Sequence, residues 1–508
     1  MAQRVVAIAR ILPVILTAIL VLGLTLGTLA AVLGRAEGFG GLRSADWAAI
    51  RFTVSQALVS ASLSVILAIP VARALARRQF LGRGVFITLL GAPFILPIIV
   101  AVLGLLAVFG RNGVLNTVLG ALGLPEVSIY GFHGVVLAHV FFNLPLATRF
   151  VLQGWLAIPA ERFRLAASLG APIGRLLEWP MLRQIVPGAF LAIFVICLTS
   201  FAVALTLGGG PRATTVELAI YEALRFDFDL GRAAFLASLQ FGICAIAALV
   251  AWRVSLADGL GAGLDRTVQR WDGSALIDGL CIGAAALFLL VPLAMVLLEG
   301  TAGLAEVPAS IWPAVRRSVS VAVVSALLTG VMALALSLHG GRWTMVISML
   351  PLAASGLVVG TGLFVIIQPY VRPSDMALIV TALVNATMAL PFAVRALRPA
   401  VATAQADFGL LAAQLGMVGW TRLRLVILPR VRAPLGFAVG LAAALSMGDL
   451  GVIALFADGE SATLPLFMYR LMGAYQMEAA AGTALVLVGL SLLLFWMCDR
   501  GGRMGADV

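Results

Sequence analysis

Apolar stretches of about 20 residues recur along the whole chain and alternate with short polar segments. As a helix, each stretch is long enough to cross the ~30 Å hydrocarbon core of a bilayer. Strands of a membrane barrel would instead show alternating segments of ~10 residues. The pattern therefore predicts an all-α membrane protein with about twelve spans, at about 11–33, 53–76, 85–109, 129–151, 186–207, 232–252, 276–298, 315–338, 343–367, 376–397, 433–456 and 477–498.

The charged residues are few and unevenly distributed. The chain is 62% hydrophobic and 11% charged, and all 34 of its basic residues are arginine. With a cytoplasmic N-terminus, the inner segments hold 23 Arg and 9 acidic residues (+14), while the outer segments hold 11 Arg and 14 acidic residues (−3), which together give the net charge of +11. Because this bias follows the positive-inside rule, we expect both termini in the cytoplasm and no nucleic-acid partner.

A polar segment near the middle divides the chain. Residues 254–275 contain Gly, Asp and Arg without an apolar run, which predicts a cytoplasmic linker between a first half, 1–253, and a second half, 276–508. Each half then has six spans and both ends on one side of the membrane. Two such halves are parallel copies related by an axis along the membrane normal. They would enclose a central pathway between them.

One polar pattern occurs twice, in the predicted cytoplasmic loops between the fourth and fifth spans of each half, at about 152–185 and 398–432. The differences Pro391 − Pro145 and Gly416 − Gly170 are both 246. In each loop, small residues recur at helical spacing and a glycine ends the short helix. A helix of this kind can press into a groove on a partner protein. The residues that we expect to carry the two docking helices are Ala166, Ala167, Gly170, Ala412, Ala413 and Gly416.

These loops resemble the hallmark loop of the permease subunits of ABC importers, which reads Glu-Ala-Ala, three residues, Gly, nine residues and then Ile-x-Leu-Pro. In the second loop, Ala412 and Gly416 fit this frame, and Pro429 closes it thirteen residues after the glycine. Leu410 stands in place of the Glu. The first loop also lacks the Glu and reaches its proline three residues earlier.

Longer segments make the resemblance more specific. FFNLPLATRFVLQ (141–153), the stretch from SFAVALTLGGG to DLGRAA (200–234) and the stretch from SMGDLG to LMGAY (446–475) are similar to the permeases of bacterial thiamine importers. The resemblance implies the fold of a type I ABC importer permease, fused into one chain. It also implies thiamine or one of its phosphate esters as substrate, with ferric iron or another small solute as the alternative.

The resemblance further implies a division of labour. A periplasmic substrate-binding protein delivers the ligand, this chain forms the pathway through the lipid of the bacterial inner membrane, and a cytoplasmic ATPase dimer drives alternating access. ATP and Mg would bind the ATPase, since a phosphate loop needs the Lys that this sequence lacks. We therefore expect no catalytic residue, cofactor or metal in this chain. The small residues of the docking helices and Pro429 would contact the ATPase; a solvated turn is the alternative.

Thiamine carries a permanent positive charge and aromatic rings, which predicts acidic and aromatic residues along its route. Asp449 lies within the eleventh apolar run, and an ionisable group at membrane depth is a candidate functional residue. Glu217 and Tyr221 follow a glycine-rich turn near the outer face. A structural role stays open for each: interspan hydrogen bonding for Asp449, solvation or helix capping for Glu217, and an interfacial aromatic belt for Tyr221.

Two other classes of protein compete with this interpretation. A secondary transporter of the twelve-span facilitator type shares the span count and the parallel halves, but it leaves the duplicated loops unexplained. A membrane-embedded enzyme would need clustered His, Asp, Glu or Ser within the spans, and Asp449 alone is too little. Dependence of uptake on ATP separates an importer subunit from a secondary transporter.

Overall fold

The structure, a computed structural model, describes residues 2–36, 42–91, 95–208, 210, 213–253 and 273–503, and every regular element in these ranges is a helix. Short π-helical segments precede three of the α-helices, at Gly23–Gly27, Gly174–Glu178 and Leu423–Ile427. The α-helices are α1 (Ala2–Leu22), α2 (Thr28–Arg35), α3 (Ser44–Arg77), α4 (Arg83–Leu89), α5 (Ile98–Phe109), α6 (Val114–Ala121), α7 (Phe132–Ala157), α8 (Ala160–Ser168), α9 (Trp179–Leu198), α10 (Phe201–Leu207), α11 (Val216–Arg225), α12 (Leu230–Arg253), α13 (Ala275–Gly303), α14 (Ile311–His339), α15 (Arg342–Met349), α16 (Gly356–Ile367), α17 (Ala377–Gln414), α18 (Gly419–Arg422), α19 (Leu428–Met447), α20 (Gly451–Phe456), α21 (Leu464–Gly473) and α22 (Met477–Arg503).

The apolar helices confirm the prediction of an all-α, multi-span membrane protein. Within the described ranges, 11 helical segments are long and apolar enough to cross a membrane, or up to 12 when one bent pair counts as a span. That pair consists of 342–353 and 356–367, which meet at 86°. It corresponds to the predicted ninth span, which the sequence pattern gave as one continuous stretch over 343–367.

The third span of the first half also differs from its prediction. A continuous helix was expected over 85–109, but α4 ends at Leu89 and α5 begins at Ile98, so that the candidate span runs over 98–121. Pro97 stands at the N-cap of α5, where its missing N–H costs no helical hydrogen bond. Proline and glycine occur near such breaks in the sequence, but the continuous apolar composition gave no sign that the helix would be interrupted there.

The first span of each half packs against the opposite half. Helix α2 contacts α16, and α13 contacts α5 and α3. A glycine allows each close approach: a Cβ atom at Gly104 on α5 would lie 2.6 Å from the carbonyl oxygen of Pro292, and one at Gly362 on α16 would lie 2.5 Å from Cβ of Thr28. The two glycines occupy the same position in their helices, because α16 begins 356 − 98 = 258 residues after α5 and 362 − 104 is also 258. These exchanged contacts interlock the two halves.

One hydrogen bond has a counterpart at the equivalent place in each predicted half. The amide of Val216, at the start of α11, donates to the hydroxyl of Thr53 at 2.9 Å, and the amide of Leu464, at the start of α21, donates to the hydroxyl of Ser318 at 2.7 Å. In both cases a hydroxyl on the second span of a half fixes the start of a short helix near the sixth.

An ion pair joins the two predicted halves on the side of the linker. The guanidinium groups of Arg77 and Arg78 donate through Nε to Oδ2 of Asp278, over 2.8 and 2.6 Å. Asp278 is buried in the first turn of α13. Residues 254–272 of the predicted linker lie outside the described ranges, and the division at 254–275 stays a prediction.

Candidate functional site

A cavity of 380 Å³ lies between the two predicted halves. Sites for small organic ligands usually measure about 300–1,000 Å³. Most of its wall is apolar, and two carboxylates, Glu217 and Asp449, are among the lining residues. The structure thus brings together two acidic residues that the sequence analysis selected separately, 232 positions apart (449 − 217).

The cavity wall is formed where two predicted spans break. The fifth span was expected to run over 186–207, but α9 ends at Leu198 and α10 restarts at Phe201. Its repeat was expected over 433–456, but α19 ends at Met447 and α20 restarts at Gly451. All of the residues between the helices at these two breaks line the cavity: Thr199, Ser200, Gly448, Asp449 and Leu450.

Asp449 is only partly satisfied by its surroundings. Its carboxyl faces the backbone amides of Val452, Gly451 and Ile453 and the side chain of Asn385. Its Oδ2 atom is nevertheless buried and has no hydrogen-bond partner in the part of the chain that the structure describes. Burying a carboxylate oxygen without a partner is costly, which makes Asp449 the less satisfied of the two carboxyl groups at the cavity.

Glu217 contributes a second carboxylate from α11. It is buried, and Nε2 of Gln240 donates to its Oε1 at 3.4 Å, with the side chain of Ser355 as a further hydrogen-bond partner. Ser355 belongs to the second half, where its hydroxyl also caps α16 by accepting from the Val358 amide at 3.1 Å. Glu217 therefore joins both halves at the cavity and is better satisfied than Asp449.

Equivalent positions of the two walls carry different side chains. At the offset of 246, His139 on α7 matches Asn385 on α17, and Asn143 matches Ala389, and all four line the cavity. At the breaks, Ser200 matches Asp449 at an offset of 249 (α19 begins 428 − 179 = 249 residues after α9). The two walls thus share a backbone plan but differ in charge and hydrogen-bonding groups.

Tyr221 lies behind the cavity wall. Its ring packs edge-on against Phe201, a lining residue, with the centroids 5.3 Å apart, and against Phe226 with the centroids 5.8 Å apart. Phe226 is exposed. The three rings form a continuous aromatic row from the protein surface to the cavity, and Tyr221 occupies its middle.

The two predicted docking helices end in the same way. The Ala171 amide donates to the Ala166 carbonyl and the Met417 amide to the Ala412 carbonyl, both at 2.8 Å. Gly170 and Gly416 close these turns with φ of +60° and +67°, in the left-handed region that favours glycine. The first helix is α8, whereas the second is the last part of α17, which continues without a break from its membrane span.

The exposed surface of these helices is only partly the predicted one. Ala167, Gly170, Ala413 and Gly416 are exposed, but Ala166 and Ala412 are buried against the rest of the chain, so their side chains face inward. Only one alanine of each helix therefore packs inside the protein. The second helix exposes Leu410 (80%), and two further leucines on the outward surface of each helix are between 52% and 71% exposed. They recur at the offset of 246 and are Leu165, Leu169, Leu411 and Leu415.

Beyond the docking helices, the two loops are held by different contacts. Glu178 accepts from Nε of Arg73 at 2.8 Å and from Nε1 of Trp155 at 3.3 Å in the first loop. In the second, the guanidinium of Arg430 lies 3.6 Å above the ring of Phe408. Pro429 is exposed at the start of α19, next to this contact. The three extra residues of the second loop lie between Gly416 and the π segment, where α18 forms.

The spans, the cavity between two related halves and the duplicated surface helices define a transport permease of the multi-pass membrane class. No protein-family model matches the chain. The thiamine transport system permease protein ThiP of Brucella abortus (strain 2308) is 39% identical over 511 residues, covering 94% of each chain. Those of Salmonella typhimurium and Escherichia coli are each 40% identical and cover 89% of each chain, over 475 and 478 residues. The chain belongs to the thiamine transport system permease family.

Proposed function

We propose that this chain is the membrane permease of an ATP-driven importer and carries thiamine through the central cavity. The observation that carries the proposal is the cavity itself, which holds two carboxylates from different halves within a mostly apolar wall. A cationic, aromatic solute matches both features. The names of the relatives, thiamine transport system permeases, give the same substrate.

Each part of thiamine has a suitable neighbour in the cavity. The unpaired Oδ2 of Asp449 offers a counter-charge to the thiazolium, which no neutral solute would need. Phe142, Phe201 and Phe392 line the cavity and can stack on the pyrimidine or thiazolium ring. Glu217, held by Gln240, is an acceptor for the exocyclic amine of the pyrimidine.

We further propose that the two docking helices engage the two subunits of a cytoplasmic ATPase dimer. The repeated pair of exposed leucines on each helix provides an apolar contact surface. A protein surface that faces only water would not require such a patch. ATP and Mg would bind the ATPase, and this chain would have no enzymatic activity of its own. Closure of the ATPase would then move the two helices as rigid bodies and open the cavity to one side of the membrane at a time.

The remaining parts of the proposal concern orientation and delivery. An excess of Arg on the side of the docking helices favours a cytoplasmic location for them and for both termini, in a bacterial inner membrane. A periplasmic binding protein would then deliver thiamine to the opposite face.

The test uses proteoliposomes that contain this permease with its ATPase and binding protein. We expect uptake of labelled thiamine that requires ATP inside the vesicles and that excess unlabelled thiamine suppresses. Ferric ion at the same concentration should leave uptake unchanged. Uptake without ATP, or ATP-driven uptake of iron in place of thiamine, would contradict the proposal.

A further inference from the structure

Two exposed aromatic residues have a backbone conformation that bulky residues rarely adopt. Among the residues that the structure describes, Phe228 with φ of 52° and Tyr475 with φ of 59° are the only residues other than glycine with positive φ. They occupy equivalent positions, because 475 − 228 and the offset between the starts of α12 and α22 (477 − 230) are both 247. An aromatic residue with this unfavourable backbone conformation therefore occurs once in each half.

The backbone at these two positions, which we call the corners, is suited to glycine. Each residue follows a short helix, where a left-handed residue lets the next amide turn back: the Gln476 amide donates to the Leu471 carbonyl at 3.0 Å, and the Asp229 amide to the Ala223 carbonyl at 2.9 Å. Cβ of an L-residue crowds the adjacent carbonyl in this conformation. Since glycine would avoid that crowding, the aromatic side chains disfavour the local fold.

Packing within the protein does not compensate for this strain. Phe228 is 78% exposed and Tyr475 is 92% exposed, so neither ring contributes much to the core. A strained, exposed residue of this kind is evidence for a role outside the fold. The role must be one that both halves share.

The location and charge of the two corners indicate the partner. One span, α9 or α19, separates each corner from the docking helix of its half, so both corners lie on the opposite face of the membrane. Exposed carboxylates occur at both corners: Asp227 directly precedes Phe228 in the sequence, and Glu478 and Glu306 line an open cavity of 480 Å³ together with Tyr475. An aromatic ring beside a carboxylate suits an Arg side chain, which stacks on the ring and pairs with the acid.

We propose that Phe228 and Tyr475 are paired anchor points for the solute-delivery protein, each of which receives a basic side chain from it. The inference rests on the proposed function, which supplies the delivery protein, and it assigns that protein's contact residues. Anchoring in the lipid headgroup region is a different role, and the adjacent carboxylates disfavour it because the ring cannot enter the bilayer without bringing charge close to it.

The test replaces both aromatic residues by glycine, which the backbone prefers. The Phe228→Gly/Tyr475→Gly permease, assembled with its ATPase in nanodiscs, should keep its basal ATPase activity and its unfolding temperature. We expect the concentration of delivery protein that gives half-maximal stimulation of the ATPase to rise at least tenfold, and each single variant to give part of that rise. Tyr370→Gly is the matched control, because Tyr370 is also an exposed aromatic residue on that face, in the turn that follows α16, but its φ is not positive.

A second arm tests the acidic partners. Asp227→Asn/Glu478→Gln should raise the half-maximal concentration at low ionic strength and weaken its dependence on salt, because the contact would lose charge–charge attraction. An unchanged half-maximal concentration in the double glycine variant, or an equal rise in Tyr370→Gly, would overturn the inference. So would defective membrane insertion with unchanged stimulation, which would indicate lipid anchoring. Absence of stimulation of the unmodified permease would instead overturn the proposed function as well.

Discussion

The docking helices and the cavity walls are both duplicated, but the docking helices are more alike than the cavity walls. Their closing hydrogen bonds agree in length, their glycines share one conformation, and their exposed leucines recur at one offset. In the cavity, Ser200 occupies the position equivalent to Asp449, and His139 occupies the position equivalent to Asn385. Helix α21 begins 464 − 216 = 248 residues after α11, so the position equivalent to Glu217 is Pro465. Glu217 therefore has no acidic counterpart in the second half.

Under the proposed function, this difference separates a surface for a symmetric partner from a site for an asymmetric solute. Two identical ATPase subunits would require two equivalent contacts, which would explain why the docking helices have retained the same form. Thiamine has a charged end and a neutral end, and two identical walls would offer it the same groups twice. A duplicated chain meets both requirements when it preserves symmetry at its surface and loses it inside.

The largest effect should follow from removal of the duplicated apolar contact. Leu165→Ser/Leu169→Ser and Leu411→Ser/Leu415→Ser should each lower ATP-driven uptake strongly and to a similar extent, and the fourfold variant should lower it by roughly 100-fold or more, as expected when the apolar anchors of an interface are lost. The measurement is uptake in proteoliposomes together with co-purification of the ATPase. A large effect at one helix and none at the other would show that the docking helices are not equivalent.

Glu217→Gln should have a smaller effect on transport. The variant keeps the hydrogen-bonding shape beside Gln240 but loses a charge, and we expect thiamine uptake to fall by about tenfold, corresponding to about 1.4 kcal/mol. Initial rates over a range of thiamine concentrations would measure it. Pro465→Ala, at the equivalent position of the second half, is the control and should leave uptake within about twofold of the unmodified rate. Equal losses of thiamine uptake in both variants would mean that the carboxylate of Glu217 has no specific role in transport.

The exchanged first spans should respond equally, in stability rather than transport. Gly104→Ala and Gly362→Ala each place a methyl group against the helix that crosses from the other half, and overpacking of this kind costs about 1–3 kcal/mol. Thermal unfolding of the purified permease would report both. Gly279→Ala, where a Cβ meets no atom within 4 Å, is the control. Unchanged unfolding temperatures in the first two variants would contradict the close packing.

The smallest effect should come from the contacts that hold only the first loop. Glu178→Gln weakens the pairing with Arg73 and the acceptor for Trp155, and we expect a loss of about 1 kcal/mol in unfolding free energy with little change in uptake. Ile427 occupies a buried position in the equivalent π segment, and Ile427→Val, which should cost about 0.5–1.5 kcal/mol by lost packing, is a useful comparison. Loss of transport in Glu178→Gln alone would give this loop a role that its partner lacks.

The sequence allowed the fold class to be predicted because span length and Arg distribution are local properties. It also identified Glu217 and Asp449, since acids are unusual among apolar residues. Their meeting in one cavity depends on how the halves pack, which no spacing of apolar residues encodes. The exchange of the first spans was missed for the same reason, although Gly104 and Gly362 mark both contacts.

Other features were present in the sequence but were interpreted incompletely. The helical spacing of the small residues indicated one face of each docking helix, but not which of its members point inward, and the structure shows that Ala166 and Ala412 do. Leu165 and Leu411 recur at the same offset as the glycines, so the sequence does contain a signal for the exposed leucines. The breaks beside Ser200 and Asp449 were concealed, because their flanking residues are as apolar as those of a continuous span.

The most direct measurement compares Asp449→Asn with Ser200→Asn in ATP-driven uptake of labelled thiamine, at equal ATPase activity and saturating binding protein. Loss of a buried counter-charge costs about 2–5 kcal/mol, so Asp449→Asn should lower the initial rate of uptake by at least about 30-fold, while Ser200→Asn should keep it within about threefold. Equal rates for Asp449→Asn and the unmodified permease, or equal losses for the two variants, would contradict an asymmetric, cation-binding cavity.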